Sequence, residues 1–374
     1  MKTTNKIINL LGAVLSLLAT FGLKQKATSL ARILIIALAA LVAAPGQAAN
    51  HGGGGSSGGG TPAGTIYYLG PSGMTSMNSD GSNRIQLGAG MYGTPSTALH
   101  NNHRWFIYTY VISGQYYPDG ITKRSEVFAV RDDYDYATNN NPNTKVQLTD
   151  DITLQPRVSS ADWVPGDGKM SFTGRRWSSS EPGATIVEGG IYTATLLFGD
   201  DGNIIGLAAQ PPTPAIPLPL VESAPGDLWP DVLAYSWSPA TDMVAYSNNA
   251  DTELWVGDLF GARIRIYNGQ AHMPQWSPPG DKIAFTHSGG IWTIKANGTG
   301  AKRIIANTST WSFSHAKWSP DGLFLVFTGQ SQVENNQYNQ DVFRATATGG
   351  TLANLTSTPA PSHEIIIEGL GGWQ

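Results

Sequence analysis

Trp237-Ser-Pro-Ala-Thr-Asp-Met-Val-Ala-Tyr246, Trp276-Ser-Pro-Pro-Gly-Asp-Lys-Ile-Ala-Phe285 and Trp318-Ser-Pro-Asp-Gly-Leu-Phe-Leu-Val-Phe327 are copies of one phrase, with starts 39 and 42 residues apart. A period near forty that carries strands and a fixed turn is the pattern of a β-propeller blade. Each copy ends one strand, turns on proline followed by Gly or Asp, and starts the next strand. An apolar residue seven positions after the Trp and an aromatic nine after it lie on one strand face, because side chains alternate with period two. That face is expected to be buried between neighbouring blades.

Weaker copies follow the same spacing. Trp163 precedes Met170 and Phe172, and Leu99 stands in the Trp position before Phe106 and Tyr108. A later strand recurs as Glu126-Val-Phe-Ala-Val-Arg131, Gly190-Ile-Tyr-Thr193, Glu253-Leu-Trp-Val256, Gly290-Ile-Trp-Thr-Ile294 and Asp341-Val-Phe-Arg344. The segment from Ile66 to Ile85 reads as the second to fourth strands of a blade, and Gly371-Gly372-Trp373-Gln374 as its missing first strand. The reading is therefore all-β: a six-bladed β-propeller of four-stranded blades over residues 65–374, closed by pairing N-terminal strands with the C-terminal strand. Its first-strand anchors are Leu99, Trp163, Trp237, Trp276, Trp318 and Trp373.

The Trp-Ser-Pro-Asp-Gly repeat with a downstream Ile-Trp or Val-Phe pair resembles the TolB-like, WD-like six-bladed propellers of bacterial envelopes. The resemblance covers residues 65–374 and implies fold, not role, because such repeats serve scaffolds and enzymes alike. TolB carries an N-terminal α/β domain before its propeller, and no counterpart is expected here.

Residues 1–48 read as a signal and targeting region. Arg32 precedes the apolar run 33–44, and Gly46-Gln-Ala48 offers a small-x-small cleavage site near Ala48. An earlier apolar run, 7–23, suggests that translation starts near Leu23. The alternative is an inner-membrane anchor of uncleaved N-terminal segments, although both runs are short for a span. Residues 49–64 form a Gly/Ser-rich linker. Residues 1–48 hold five basic residues and no acid, so the remainder has 18 basic residues against 27 acidic, a net charge of −9. An acidic surface argues against nucleic acid as a partner. The chain has no cysteine, which excludes disulfides and thiolate metal sites. The expectation is a periplasmic or secreted monomer with no stable membrane span after processing.

Loops from second to third strands, and from one blade to the next, share one face of a propeller. The long insertions fall mostly there: Ser113–Ser125, Gly174–Gly189, Ala208–Pro230, Gln330–Gln340 and Ser357–Glu368. Binding concentrates in long loops on a rigid ring. These carry Tyr116, Tyr117, Arg124, Arg175, Arg176, Trp177, Trp229, Trp311 and Tyr338, types enriched at protein interfaces. For each, packing under its own loop is the competing reading. The proline-rich stretch 211–219 reads as a stiff spacer.

Signals for catalysis are weak. His272, His315 and His363 have no metal-ligand spacing, and the residues two before each anchor (Thr97, Ala161, Tyr235, Pro274, Ala316 and Gly371) are bland. Asp132-Asp-Tyr-Asp-Tyr136 with 139–141 offers oxygen ligands, so calcium is the one cofactor considered. Gly54-Gly-Ser-Ser-Gly58 formally matches a nucleophile elbow but sits in a glycine run with no strand before it. The leading reading is an exported, non-catalytic propeller that binds an envelope or extracellular protein through its long-loop face. The alternatives are a carbohydrate-binding propeller, or a hydrolase or lyase with a site at the channel mouth.

Overall fold

The computed structural model describes residues 64–70, 73–88, 96–100, 103–113, 123–134, 144–150, 154–165, 168–179, 181–209, 214–218, 220–224, 227–230, 234–248, 252–259, 262–332, 338–357 and 370–373. Residues 1–63, where a targeting region and linker are expected, lie outside them, as do Tyr116, Tyr117 and His363.

Among the described residues the strands form six antiparallel blades and one separate two-stranded hairpin. Blade 2 runs Ser96–His100, His103–Ser113, Lys123–Arg131 and Lys145–Gln147; blade 3 runs Leu154–Val164, Lys169–Trp177, Ile186–Phe198 and Ile204–Leu207. Blade 4 is Tyr235–Trp237, Met243–Ser247, Glu253–Asp258 and Arg263–Asn268; blade 5 is His272–Trp276, Lys282–His287, Gly290–Lys295 and Lys302–Ala306. Blade 6 is Ser312–Trp318, Phe324–Gln332, Tyr338–Thr346 and Ala353–Asn354. Blade 1 is the stitched one: Leu370–Trp373 pairs with Thr65–Gly70, which continues into Gly73–Asn78 and Ile85–Gly88. Its closing register is Ile66↔Trp373, Tyr67↔Gly372 and Tyr68↔Leu370.

The apolar core divides by interface. Trp276 and Phe285 pack with Leu254 and Val256 between blades 4 and 5, and Phe313 and Phe327 with Ile291 between blades 5 and 6. Tyr192 and Met170 meet Trp105 between blades 2 and 3, and Trp237 and Val244 meet Ile191 between blades 3 and 4. Ile66 and Met77 meet Val326 and Val342 between blades 6 and 1, and Met74 meets Phe106 between blades 1 and 2. Each blade thus buries both faces, which is possible only when the ring closes.

The repeated turn has a simple chemistry. Ser319 Oγ donates to Asp321 Oδ1 at 2.5 Å and accepts from the Phe324 amide at 2.9 Å. Ser277 repeats this with Asp281 at 2.9 Å and the Lys282 amide at 3.0 Å. Gly280 and Gly322 take φ of 72° and 70° in these turns, where a side chain would be strained. Trp-Ser-Pro-x-Gly therefore encodes an anchor, a hydroxyl that satisfies the turn, and the turn itself.

Blade 2 departs from the expected alignment. Leu99 pairs with Arg104 at the tip of the hairpin and is 61% exposed, so it is not an anchor. Thr97 pairs with Phe106, as Trp276 pairs with Ile283, and is buried. The first hairpin of blade 2 is two residues longer between paired positions, which moves the anchor back by two.

The proline-rich stretch is not simply a spacer. Ile216–Pro217 pairs with Gly190 and Ile191 of blade 3. Beyond it, Leu220–Ala224 and Asp227–Pro230 form a separate hairpin.

Candidate functional site

Innermost strands run toward the face that carries the Ser-Pro turns. Near that end they enclose a cavity of about 340 Å³ lined by Ser96, Asp162, Gln275 and Lys317, with Pro239 and Pro278 at the mouth. With Thr97 as the blade 2 anchor, these four polar residues each stand one position before an anchor. Residues two before an anchor share the anchor's strand face. Accordingly Ala161, Tyr235, Pro274 and Ala316 are buried between blades. The channel is therefore lined by the other set, and that set is charged and polar rather than bland.

The ring is stitched from blade to blade. Ser96 Oγ donates to Asp162 Oδ1. Gln275 Nε2 donates to Ser236 Oγ at 3.2 Å, and Lys317 Nζ donates to Gln275 Oε1 at 2.6 Å. Anchors reinforce it: Trp163 Nε1 reaches the Ser96 carbonyl at 3.3 Å and Trp318 Nε1 the Gln275 carbonyl at 3.1 Å. Between blades 3 and 4 the junction is Ser171. Its hydroxyl accepts from Trp237 Nε1 at 2.7 Å and from the Tyr235 hydroxyl at 3.0 Å, and donates to the Asp162 carbonyl at 3.1 Å. Ser171→Ala leaves both buried donors without this acceptor and is expected to cost about 2 kcal/mol, measured by urea unfolding. A loss below a few tenths would show that the junction is not structural.

Burial dominates the electrostatics here. It pushes the Asp162 carboxyl up, partly offset by Lys317 and the Ser96 hydroxyl. It pushes the Lys317 ammonium down, partly offset by Asp162. Tyr235 is raised well above the usual phenol, first by burial and then by Asp162. His315 falls to about 4, first by burial, then through Lys317 and His272.

His315 sits three residues before its Trp, where the strand bulges between Ser314 and Lys317. Met273 holds the same place in blade 5, between His272 and Gln275. Both take left-handed φ, 56° and 48°. Bulges re-aim side chains and recur beside functional sites. His315 Nδ1 is 2.8 Å from Ser314 Oγ, and its amide donates to Thr286 Oγ1 at 3.2 Å.

The residues expected on the long-loop face are distributed differently. Much of Gly174–Gly189 is strand, with Arg175↔Gly189 and Arg176↔Glu188 in register. Arg175 is 1% exposed with its guanidinium 5.2 Å from the Trp177 ring, and Trp177 is 6% exposed. Arg176 faces Glu188 at 3.3 Å. Trp311 packs edge-on against Phe343 with centroids 4.9 Å apart. Tyr338 opens the third strand of blade 6 and is 44% exposed. Arg124 falls in the third strand of blade 2 and Trp229 in the extra hairpin. Thus Arg175 and Trp177 are buried, and Tyr338 is presented outward.

At the opposite face His103, Asp132 and Asp133 bring ligand atoms within 4.8 Å of one another. Asp133 is already held by Arg131 at 2.5 Å, and Tyr134 of the same segment is buried. Residues 135–143, the rest of the calcium expectation, lie outside the described residues.

No protein-family profile and no curated protein matches the chain. Among solved structures it is similar to a TolB protein from Agrobacterium tumefaciens, at 16% identity over 68% of this chain and 88% of that one, TM-score 0.40. It is also similar to TolB from Acinetobacter baumannii, at 13% identity over 75% and 64%, TM-score 0.41. An oligogalacturonate lyase in complex with manganese matches at 14% identity over 72% and 74%, TM-score 0.38. At such identities and TM-scores these likenesses carry no argument about this chain. Among the described residues, no helix is long and apolar enough to cross a membrane. By its own sheet order and closure, the chain is a six-bladed β-propeller.

Proposed function

We propose that the chain is an exported propeller that acts as a protein-binding scaffold of the periplasm or cell envelope through its long-loop face. One observation carries this reading: that face bears a raised rim. Second strands of blades 2, 3 and 6 span 11, 9 and 9 residues, against six in blade 5. Three extra residues project about 10 Å. The three projecting hairpins expose Tyr110, Val187 and Tyr338 at 40%, 54% and 44%. Separate apolar side chains on a rigid ring suit a partner that docks without large rearrangement.

Site-specific photo-crosslinking tests this. A crosslinking residue in place of Tyr338 should give a discrete protein adduct in envelope fractions, and the same residue in place of Leu323, on the turn face, should give none. No adduct from Tyr338, or equal adducts from both, would overturn the reading. Export is checked by N-terminal sequencing of the protein recovered outside the cytoplasm, which should begin at Ala49; an intact Met1 would contradict cleavage.

A further inference from the structure

Asp162 and Lys317 line the same channel cavity, yet they form no ion pair with each other. Asp162 uses one oxygen, Oδ1, for Ser96 and for the Trp163 amide at 2.9 Å. Lys317 commits one ammonium hydrogen, to Gln275 at 2.6 Å. Among the described residues, Oδ2 of Asp162 and the other two hydrogens of Lys317 have no protein partner. Each group is half-buried in a channel walled by indoles and prolines. A charge removed from water is costly unless it is matched. These two opposite charges share one small space and leave it between them.

We propose that this cavity binds a small zwitterion, with its ammonium on Asp162 and its carboxylate on Lys317. Gln275 and Ser236 then hold the wall by which Lys317 is aimed, through the bonds already described. A single anion or cation would satisfy one charge and leave the other facing low-dielectric walls. A sugar ring would need an open aromatic face on which to stack; Trp237, Trp276 and Trp318 are 4%, 3% and 7% exposed, and the half-buried Trp163 packs against the core between blades 2 and 3 with its Nε1 on the Ser96 carbonyl. A metal would find one carboxylate and a repelling ammonium. The volume, about 340 Å³, lies within the range of small-molecule sites. The cavity opens on the turn face, away from the raised rim, so this inference does not depend on the protein-binding role.

Isothermal titration of the intact protein with glycine, β-alanine, 4-aminobutyrate, 6-aminohexanoate and glycylglycine tests it, because the series varies the distance between the two charges. At least one member should bind, and one spacing should be favoured. The N-acetyl and the C-amide form of that member should each bind at least about tenfold more weakly. Asp162→Asn should abolish the penalty for N-acetylation, and Lys317→Gln the penalty for amidation. The blocked analogues on the unaltered protein decide the matter even if a variant fails to fold. Binding by no member of the series, equal binding of blocked forms, or binding of glucose in their place would overturn the proposal.

Discussion

Deleting residues 370–374 lowers the melting temperature by about 10 °C or more. Leu370–Trp373 is the innermost strand of blade 1, and its register with Ile66, Tyr67 and Tyr68 is what closes the ring. Its removal leaves Thr65–Gly70 as an open edge with unpaired backbone groups. It also uncovers part of the interface where Ile66 and Tyr68 are 0% and 7% exposed. Each large apolar side chain so uncovered costs roughly 1.5–3 kcal/mol, and in a chain of this size 1 kcal/mol shifts the midpoint by about 2–4 °C. Scanning calorimetry of the intact and truncated proteins reads the difference. Coincident melting curves would mean that the ring does not depend on this strand.

Acid should destabilise the protein through His315, and His315→Asn should relieve it. The folded-state value of about 4 lies below the usual 6.5. Between these values the unfolded chain binds a proton that the folded chain refuses, so stability rises with pH across that window and falls on acidification. From pH 7 to pH 4 the loss attributable to this group is about 3 kcal/mol. Asparagine tolerates the left-handed φ of 56° at this position, so the bulge is kept. Guanidinium unfolding at the two pH values should show a smaller acid penalty for the variant by that amount. Parallel pH dependences would show that His315 protonates freely in the folded chain.

The blades were legible because their information is local. An anchor Trp, a Ser-Pro turn and a period-two strand occupy ten consecutive residues, and three copies set the repeat. Blade closure was legible too, since the N-terminal strands matched the later strands of a blade and left one strand to be supplied. What was not legible is set by pairing between distant residues. Arg175 and Trp177 read as loop residues because nothing in Gly174–Gly189 tells a long loop from two strands that pair with each other, as they do here. Leu99 carried the right spacing to Phe106 and Tyr108, but the longer hairpin gives the anchor's place to Thr97.

The channel site was within reach. Strand alternation alone assigns the residue one before each anchor, not two, to the channel. Once Thr97 is the blade 2 anchor, this parity selects Ser96, Asp162, Ser236, Gln275 and Lys317. The bulges at Met273 and His315, by contrast, left no sequence sign: neither is the glycine that a left-handed position favours.

Two faces of one ring, compared in the same titration, decide whether a protein partner docks on the raised rim. The crosslinked partner, once identified and purified, is titrated against the intact protein and two variants. One carries Tyr110→Ser, Val187→Ser and Tyr338→Ser on the rim; the other carries Leu99→Ser and Leu323→Ser on the turn face, where those leucines are 61% and 63% exposed. The rim variant should bind at least about tenfold more weakly, with the turn-face variant unchanged. Loss confined to the turn-face variant, or full affinity in the rim variant, would contradict the account.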